Sequence, residues 1–252
     1  MSENNPLAVQ LYTFRFTPPA DRPALLQALA RAGYGAVEPF GDPAGAAQLR
    51  SELDQAGLRV CSLHAHVERD GLERVAAAAR TLRTETIVVP SLDREGWGEA
   101  GSVRRMAAQV NELGRRAGAE GLRVAYHNHW FEMVDVDGRP ALELFADALD
   151  PDILLEVDIY WAVVGGQDAA ALLARLGERV RYLHLKDGPA DDPKAPMTAV
   201  GTGAVPVPEV LSAAPAVEWN IIELDDCATD VLTAVRESAG WLRDHGFAAG
   251  AR

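Results

Sequence analysis

Short apolar runs of strand length alternate along this chain with longer stretches in which apolar residues recur at helical spacing. Eight runs have the strand character: 7–12, 35–40, 58–64, 86–91, 122–127, 153–158, 180–185 and 219–224. Nearly continuous apolar runs are typical of strands that are covered on both faces, as in a parallel sheet. The pattern therefore predicts eight buried, parallel strands.

The stretches between the runs carry helix start and stop signals. Five are clear: 21–33, 42–57, 101–121, 168–177 and 229–246. In the first two, an Asp stands at the cap position, a Pro follows in the first turn and a Gly ends the stretch. Strands that alternate with helices indicate βαβ units. Eight such units in 252 residues are typical of a (β/α)8 TIM barrel.

An open, doubly wound sheet is the alternative architecture. Such a sheet normally has a glycine-rich turn after its first strand, and the segment "QLYTFRFTPPA" contains no glycine. The GxG of "GTGAVP" follows no strand run and lacks a third glycine. Because no linker or low-complexity segment divides the chain, we expect residues 1–252 to form one α/β barrel domain.

Polar side chains gather at the carboxyl ends of the predicted strands, where TIM-barrel enzymes build their active sites. Five of the six histidines lie there. The residues at these ends are Glu38, His64, His66, His127, His129, Glu156, Asp158, His184, Lys186 and Glu223. Several form pairs two positions apart, which places both members on one face of a strand. An inward-facing carboxylate needs a cation or a proton, so the cluster favours a metal site.

The ligand types limit the choice of metal. Nitrogen and oxygen ligands without thiolate suit one divalent ion, Mn²⁺, Co²⁺, Mg²⁺, Fe²⁺ or Zn²⁺, of which we favour Mn²⁺. Cys61 and Cys227 have no zinc-type spacing and are interpreted as small apolar residues. Any single histidine could instead be a hydrogen-bonded residue with no part in metal binding or catalysis. This alternative would have to hold for all five histidines at once, which disfavours it.

Charge and composition restrict the class of partner. The net charge is −13, from 24 Lys and Arg against 37 Asp and Glu, which disfavours nucleic-acid binding. The amino terminus lacks a signal-peptide pattern, and no apolar run approaches the roughly 20 residues of a membrane span. We therefore expect a cytoplasmic protein with a small-molecule substrate and no nucleic-acid or membrane partner. An oligomer is compatible with the sequence.

Six motifs point further: "VQLYTFR", "GYGAVEPFG", "YHNHWFE", "LEVDIYWA", "HLKD" and "GTGAVPVPEVL". In order and spacing they resemble the sugar phosphate isomerase/epimerase family, over almost the whole chain from Leu7 to Leu242. This family belongs to the xylose isomerase-like TIM barrel group, which also holds inosose dehydratase, ketose 3-epimerases and endonuclease IV. The resemblance implies a TIM barrel that binds one divalent metal ion and a sugar.

The resemblance also implies the ligands. Family members carry Glu, Asp, His and Glu on strands five to eight, and the matching positions here include Asp158, His184 and Glu223. The fifth strand departs from the pattern, because His-Asn-His replaces Glu-Asn-His. The ligand there is His127, or Glu132 reaching back from the loop. We favour His127, since a strand end positions a ligand more rigidly than a loop.

The ketose epimerases remove and return a proton with two metal-bound glutamates. Only Glu223 is in register here, so His129 or Glu132 would be the second acid or base. We expect proton abstraction next to a carbonyl, giving an enediolate, in a sugar isomerase or epimerase. Loss of a β-oxygen substituent would instead make the protein a metal-dependent lyase or dehydratase acting on a keto-sugar, keto-glycoside or keto-inositol. A sugar-binding barrel without catalysis is the alternative from another class.

We expect five further residues to contact the sugar: Glu38, His66, Lys186, Trp97 and Trp161. The first two would hydrogen-bond hydroxyl groups, and the tryptophans would form apolar walls. Lys186 would donate to a substrate oxygen, unless it forms an ion pair with Asp187 or Glu156. Trp161 stands where ketose epimerases tend to carry a histidine. The chain has no cluster of Arg and Lys, which favours an unphosphorylated substrate.

Overall fold

Parallel strands form a barrel in the computed structural model, which describes residues 6–41 and 43–248. The strands are β1 (Leu7–Gln10), β2 (Ala36–Glu38), β3 (Arg59–Val60), β4 (Leu63–His64), β5 (Thr86–Val89), β6 (Arg123–His127), β7 (Asp135–Val136), β8 (Arg139–Pro140), β9 (Leu154–Asp158), β10 (Val180–Leu185) and β11 (Trp219–Ile222). The order in the sheet is β3-β2-β1-β11-β10-β9-β6-β5-β4, and β7 pairs with β8 in a separate antiparallel hairpin.

The third predicted strand is interrupted, so β3 and β4 appear at the two ends of this order. β3 pairs with β2, and β4 pairs with β5. A hydrogen bond nevertheless joins β4 to the segment after β2, because the backbone N–H of His64 donates to the Pro39 carbonyl at 2.9 Å, and Phe40 and His64 form a parallel bridge. The eight predicted runs therefore correspond to the eight strand positions of a nearly closed barrel, and the predicted TIM barrel is confirmed.

Helices surround the barrel. They are α1 (Arg22–Arg31), α2 (Ala46–Ala56), α3 (Val67–Asp70), α4 (Leu72–Leu82), α5 (Ala100–Ala119), α6 (Ala141–Ala148), α7 (Ile159–Val164), α8 (Ala169–Leu176), α9 (Val207–Ala213) and α10 (Val231–Asp244). The five predicted helices correspond to α1, α2, α5, α8 and α10. Within residues 6–41 and 43–248, no helix is long and apolar enough to cross a membrane.

The structure confirms some of the helix start and stop signals and not others. Asp168 caps α8 and Asp230 caps α10, each accepting a backbone N–H of the first turn. Gly57 ends α2 in the left-handed conformation at φ 72°, as a helix-stop glycine does. Asp21 occupies the N-cap position of α1 and a Pro follows in the first turn, as expected, but the Asp21 side chain makes no cap hydrogen bond. Asp42, the expected cap of α2, lies outside the described residues.

The barrel interior changes from apolar to polar along its axis. Its apolar layer consists mainly of small and branched side chains: Ala8, Ala36, Cys61, Val88, Ala125, Tyr182 and Ile221. Cys61 is a buried free thiol in this layer, which agrees with its interpretation as a small apolar residue. Toward the carboxyl ends of the strands the inward-facing residues are polar. This polar layer forms the floor of the mouth.

Candidate metal and active site

The polar layer brings side chains from several strands into one buried cluster. Its members are Gln10, Glu38, Ser62, His64, His127, Glu156, Asp158, His184, Lys186 and Glu223. Each is less than 9% exposed, although most carry a charge or can acquire one. Buried charges are stable only when they are paired or bound to an ion. The contacts within the cluster therefore decide which residues are available for chemistry.

Four of these residues form a donor set on the side of β6, β9, β10 and β11: His127, Asp158, His184 and Glu223. Each offers one ligand atom, and these atoms all lie within 4.8 Å of one another. Nδ1 of His184 lies 2.9 Å from a Glu223 oxygen, and Nε2 of His127 lies 4.0 Å from an Asp158 oxygen. The set is buried and combines two imidazoles with two carboxylates, which suits a divalent cation. These are the four residues that the resemblance and the sequence nominate as ligands.

A second group shares two histidines with the donor set. It consists of His64, His127, Glu156 and His184. Nε2 of His184 lies 2.7 Å from an oxygen of Glu38 and 3.1 Å from one of Glu156. Nδ1 of His127 faces the same Glu156 oxygen at 3.1 Å. Both shared histidines thus stand between the groups, with one ring nitrogen toward each.

This arrangement selects the nitrogens that are free to bind a metal. A neutral imidazole has one N–H donor and one acceptor nitrogen, and the nitrogen that faces a carboxylate keeps the proton. Glu156 faces Nδ1 of His127, which would leave Nε2 of that neutral ring as the acceptor on the side of Asp158. In His184 both ring nitrogens face carboxylates, Nε2 toward Glu38 and Glu156 and Nδ1 toward Glu223, so both nitrogens carry protons in the metal-free protein. A metal ion in the donor set would replace the proton on Nδ1 of His184, while Glu38 and Glu156 would hold the proton on Nε2.

The protonation of this second group, and of Glu38 beside it, follows from the charges of its members. Burial opposes the charged form of His64, but Glu38 and Glu156 outweigh it and raise the pKa of His64 to about 10. The carboxylates likewise raise the pKa of His184 well above its usual value. Burial would raise the pKa of Glu38, yet His64 and His184 hold it well below its usual range. His127 differs, since burial and the nearby His184 charge lower its pKa, and it stays neutral.

Lys186 supplies a positive charge to the donor set. Its Nζ lies 2.9 Å from Asp158 Oδ2, 2.7 Å from Glu223 Oε2 and 2.5 Å from Asp225 Oδ2. These carboxylates raise the pKa of Lys186 well above its usual value in spite of its burial. The ammonium also lies 5.0 Å from the centre of the Trp161 ring. The expected ion pairs of Lys186 with Asp187 or Glu156 are wrong.

Asp187 instead organises the loop that follows β10. Its Oδ1 accepts the backbone N–H groups of Gly188 and Val205, and its Oδ2 accepts those of Gly201 and Gly203, at 2.9–3.1 Å. A Cβ at Gly203 would lie 2.2 Å from the Asp187 carboxylate, so only glycine fits there. The "GTG" motif is therefore a turn built around a buried carboxylate. It leaves Lys186 free to face the donor set.

Glu132 is similarly occupied, and it does not reach the donor set. The Tyr126 hydroxyl donates to its Oε1 at 2.7 Å, and the backbone N–H of His129 donates to its Oε2 at 2.8 Å. Glu132 is fully buried and does not line the mouth. In this arrangement Glu132 is not part of the donor set, and His127 occupies the fifth-strand position for which the sequence left both residues open. Asn128 has a related role, since its side chain bonds both backbone groups of Asp158 and holds β6 against β9.

A cavity of about 330 Å³ opens above the cluster at the barrel mouth. The donor set reaches it through His127 and Glu223. His129 also lines it, with its ring 26% exposed and stacked on Phe131 at a centroid distance of 5.2 Å. On another side stand two aromatic rings, Tyr12 and Phe40, which meet edge to face at 5.1 Å. A small polar ligand in this cavity would touch imidazole, carboxylate and aromatic groups together.

The family model described as "Xylose isomerase-like TIM barrel" matches residues 26–245. The chain belongs to this family. The resemblance inferred from the sequence motifs is thereby confirmed.

Named relatives of this xylose isomerase-like barrel include an epimerase and a dehydratase. The 2-epi-5-epi-valiolone 7-phosphate 2-epimerase of Actinoplanes sp. is 29% identical over 181 residues, which are 65% of this chain and 63% of that protein. The inosose dehydratase of Clostridium perfringens is 29% identical over 97 residues, or 38% and 30% of the two chains. The matches thus span less than two thirds of either relative.

A solved structure is similar over nearly its full length. It is a sugar phosphate isomerase/epimerase from Parabacteroides distasonis, with a TM-score of 0.84 and 24% sequence identity. The similarity covers 98% of this chain and 96% of that one. At this identity the comparison supports the common fold.

The structure also places the expected sugar contacts of this xylose isomerase-like barrel. His66 and Lys186 line the mouth cavity. Glu38 does not, because Gln10, Ser62, His64 and His184 surround its carboxylate. Trp97 is 1% exposed and packs on Tyr126 and Phe145, so its assignment as a wall for the sugar is wrong. Trp161 is buried beside Lys186 and Trp130, and it does not line the mouth cavity.

The sequence did not reveal the partners of five residues of the site: Gln10, Ser62, His64, Glu156 and Asp225. His64 and Glu156 were recognised as strand-end residues, and their contacts with other strands become visible only in the fold. Gln10 and Ser62 bond the Glu38 carboxylate and carried no sequence signal. Asp225 had a simpler signal. It lies two positions after Glu223 in "ELDD", which is the spacing that places side chains on one side of an extended segment.

Proposed function

We propose that this protein is a divalent-metal-dependent sugar isomerase or epimerase that removes a proton next to the carbonyl of a keto-sugar. The observation that carries the proposal is the buried donor set of two histidines and two carboxylates, which opens onto a cavity of small-molecule size. The epimerase among its relatives supports the reaction class. We further propose a sugar, rather than a nucleic acid, as its partner.

The metal would be held by His127, Asp158, His184 and Glu223. Bound there, the ion would stabilise the negative charge that develops on the carbonyl oxygen of the substrate. The protein keeps this position dry, since all four residues are buried. A charge interaction is much stronger in such a site than in water.

His129 is the residue best placed to act as the base. Its Nδ1 is buried and lies 3.9 Å from Glu132 Oε1. This distance is too long for a hydrogen bond, so the Glu132 carboxylate faces the ring without bonding to it. We infer that the proton lies on Nδ1, toward this negative charge, and that Nε2 is the acceptor on the more exposed side of the ring. Glu132 thus positions the base, through the backbone N–H of His129 and from behind the ring. Glu223 reaches the cavity from β11, separated from β6 by β9 and β10, and it would serve as the partner acid or base.

A lyase is the second candidate, and the dehydratase relative favours it. Proton removal next to the carbonyl is the first step of both reactions. If a leaving group stands on the next carbon, its loss from the enediolate gives dehydration or elimination. The residues that start the reaction are the same in both cases.

Proton exchange in D₂O tests the proposal. We expect the purified protein to contain a divalent metal by mass spectrometry and to exchange the α-proton of at least one sugar in a panel of phosphorylated and unphosphorylated keto-sugars. EDTA should abolish the exchange and Mn²⁺ should restore it. Product analysis by NMR then distinguishes the isomerase from the lyase. Sugar binding without exchange, even with Mn²⁺ added, would contradict the proposal and leave a non-catalytic sugar-binding barrel.

A further inference from the structure

Lys186 occupies an unusual position for a lysine in a metal-binding cluster. Its Nζ bridges Asp158 and Glu223, and both of these carboxylates belong to the proposed donor set. The side chain is 1% exposed, so water does not screen the interaction. The two carboxylates therefore already have a cation as partner.

Asp225 gives the ammonium a third partner that lies outside the donor set. Its Oδ2 is 2.5 Å from Nζ, and its side chain is 31% exposed at the mouth. The Trp161 ring confines Nζ on another side, at 5.0 Å. If a metal bound Asp158 and Glu223, the ammonium could still keep Asp225. A small movement of a flexible lysine side chain would be enough.

We propose that the ammonium of Lys186 is a built-in cation that competes with the metal for Asp158 and Glu223, and that Asp225 retains it when the metal binds. The proposal rests on the proposed metal site. In the metal-free protein, Lys186 neutralises the carboxylates and allows the cluster to fold. In the metal-bound protein, its charge lies next to the ion and weakens binding by repulsion. Lys186 would thus lower the metal affinity and stabilise the metal-free state.

Replacing the lysine by an uncharged residue tests this competition. Mn²⁺ affinity is measured for the wild-type protein and for Lys186→Met by following free Mn²⁺ through its EPR signal. We expect Lys186→Met to bind Mn²⁺ at least about 10-fold more tightly, since a unit charge close to the ion is removed from a site of low dielectric. Thermal unfolding gives a second readout: the variant should be less stable without metal and gain more stability from Mn²⁺ than the wild type.

Two further variants make the test specific. Lys194→Met is the matched control, because this exposed lysine lies outside the cluster, and its variant should bind Mn²⁺ like the wild type. Lys186→Gln keeps hydrogen-bond donors without the charge, and it decides the question if Lys186→Met does not fold. It should also bind more tightly than the wild type.

The outcomes separate this proposal from the proposed function. If both Lys186 variants bind Mn²⁺ no more tightly than the wild type, the competition is refuted, whereas metal-dependent proton exchange by the wild type would still support the function. If neither the wild type nor any variant binds Mn²⁺, Co²⁺ or Zn²⁺, both this proposal and the metal site are refuted. Binding by the Lys186 variants alone would be the strongest support for the competition.

Discussion

Two pairs of buried carboxylates in this barrel have opposite environments. Asp187 and Glu132 accept hydrogen bonds from neutral groups, namely backbone N–H groups and one tyrosine hydroxyl. Asp158 and Glu223 instead face histidines and a lysine, which are cations or can become cations, and Asp158 also accepts the backbone N–H of Trp161. Neutral donors on the backbone hold a carboxylate in one place. Exchangeable cations around a carboxylate allow a metal or a proton to enter.

The comparison shows that burial alone does not identify an active-site carboxylate. All four side chains are buried, and all four lie close to the carboxyl ends of strands. The identity of their partners distinguishes them. We therefore expect substitution of the first pair to affect stability first, and substitution of the second pair to affect metal binding and chemistry first.

The largest expected effect is on Asp158. Replacing it by Asn removes one anionic donor from the proposed metal site, but the side-chain oxygen can still accept the Trp161 N–H that begins α7. We expect proton exchange to fall by about 10³-fold or more, since charge stabilisation of the enediolate depends on the metal. Exchange is measured by NMR in D₂O, and circular dichroism checks the fold. A folded Asp158→Asn protein with wild-type exchange would contradict the assignment of Asp158 and Glu223 to metal binding and chemistry.

Asp187→Ala is the matching substitution in the other pair. It removes the acceptor of four backbone N–H groups in the loop after β10. Loss of such a network costs about 3 kcal/mol of unfolding free energy, because the donors are left without partners. Urea unfolding measures this loss. If the variant kept wild-type stability, the assignment of Asp187 as a structural carboxylate, in contrast to Asp158 and Glu223, would be wrong.

The barrel itself could be predicted from the sequence because its signals are local. Apolar runs mark all eight strand positions, although five helices of the described residues escape prediction: α3, α4, α6, α7 and α9. The N-cap residue of α4 is Gly71 and that of α6 is Pro140, and neither provides a side-chain cap. The interruption of the third strand at Cys61 and Ser62 also leaves no local signal, since the whole run 58–64 is apolar enough for one strand.

The side-chain partners of the site were less predictable. The sequence places His127, Asp158, His184 and Glu223 at strand ends, and the fold brings them together. It does not reveal that Lys186 turns toward Asp158 rather than Asp187, because the choice depends on the loop that engages Asp187. Nor does it separate Trp97, which is a core residue, from the aromatic rings that line the mouth. Such distinctions depend on contacts between distant parts of the chain.

The pH dependence of stability tests how strongly the buried carboxylates hold a proton on His64. The pKa of His64 is raised to about 10 from an ordinary value of 6.5, so the folded state holds more protons than the unfolded state between these values. Stability is therefore fully present below pH 6.5 and declines as the pH rises through this window. We expect the thermal midpoint of the metal-free protein to fall by about 5 °C or more from pH 6.5 to pH 9. His64→Gln should reduce the slope of this profile, and His184, whose pKa is also raised, should account for the rest. An equally steep profile in that variant would exclude His64 as a source.

The smallest effect is expected for Glu132→Gln. The amide can still accept one of the two hydrogen bonds from Tyr126 and His129, so the stability loss should be about 1 kcal/mol. Mn²⁺ affinity should stay within about 3-fold of the wild type, because Glu132 does not belong to the donor set. Proton exchange should fall more than metal affinity does, since the uncharged amide no longer orients His129. A large loss of Mn²⁺ binding would instead show that Glu132 is a metal ligand and that it belongs with Asp158 and Glu223.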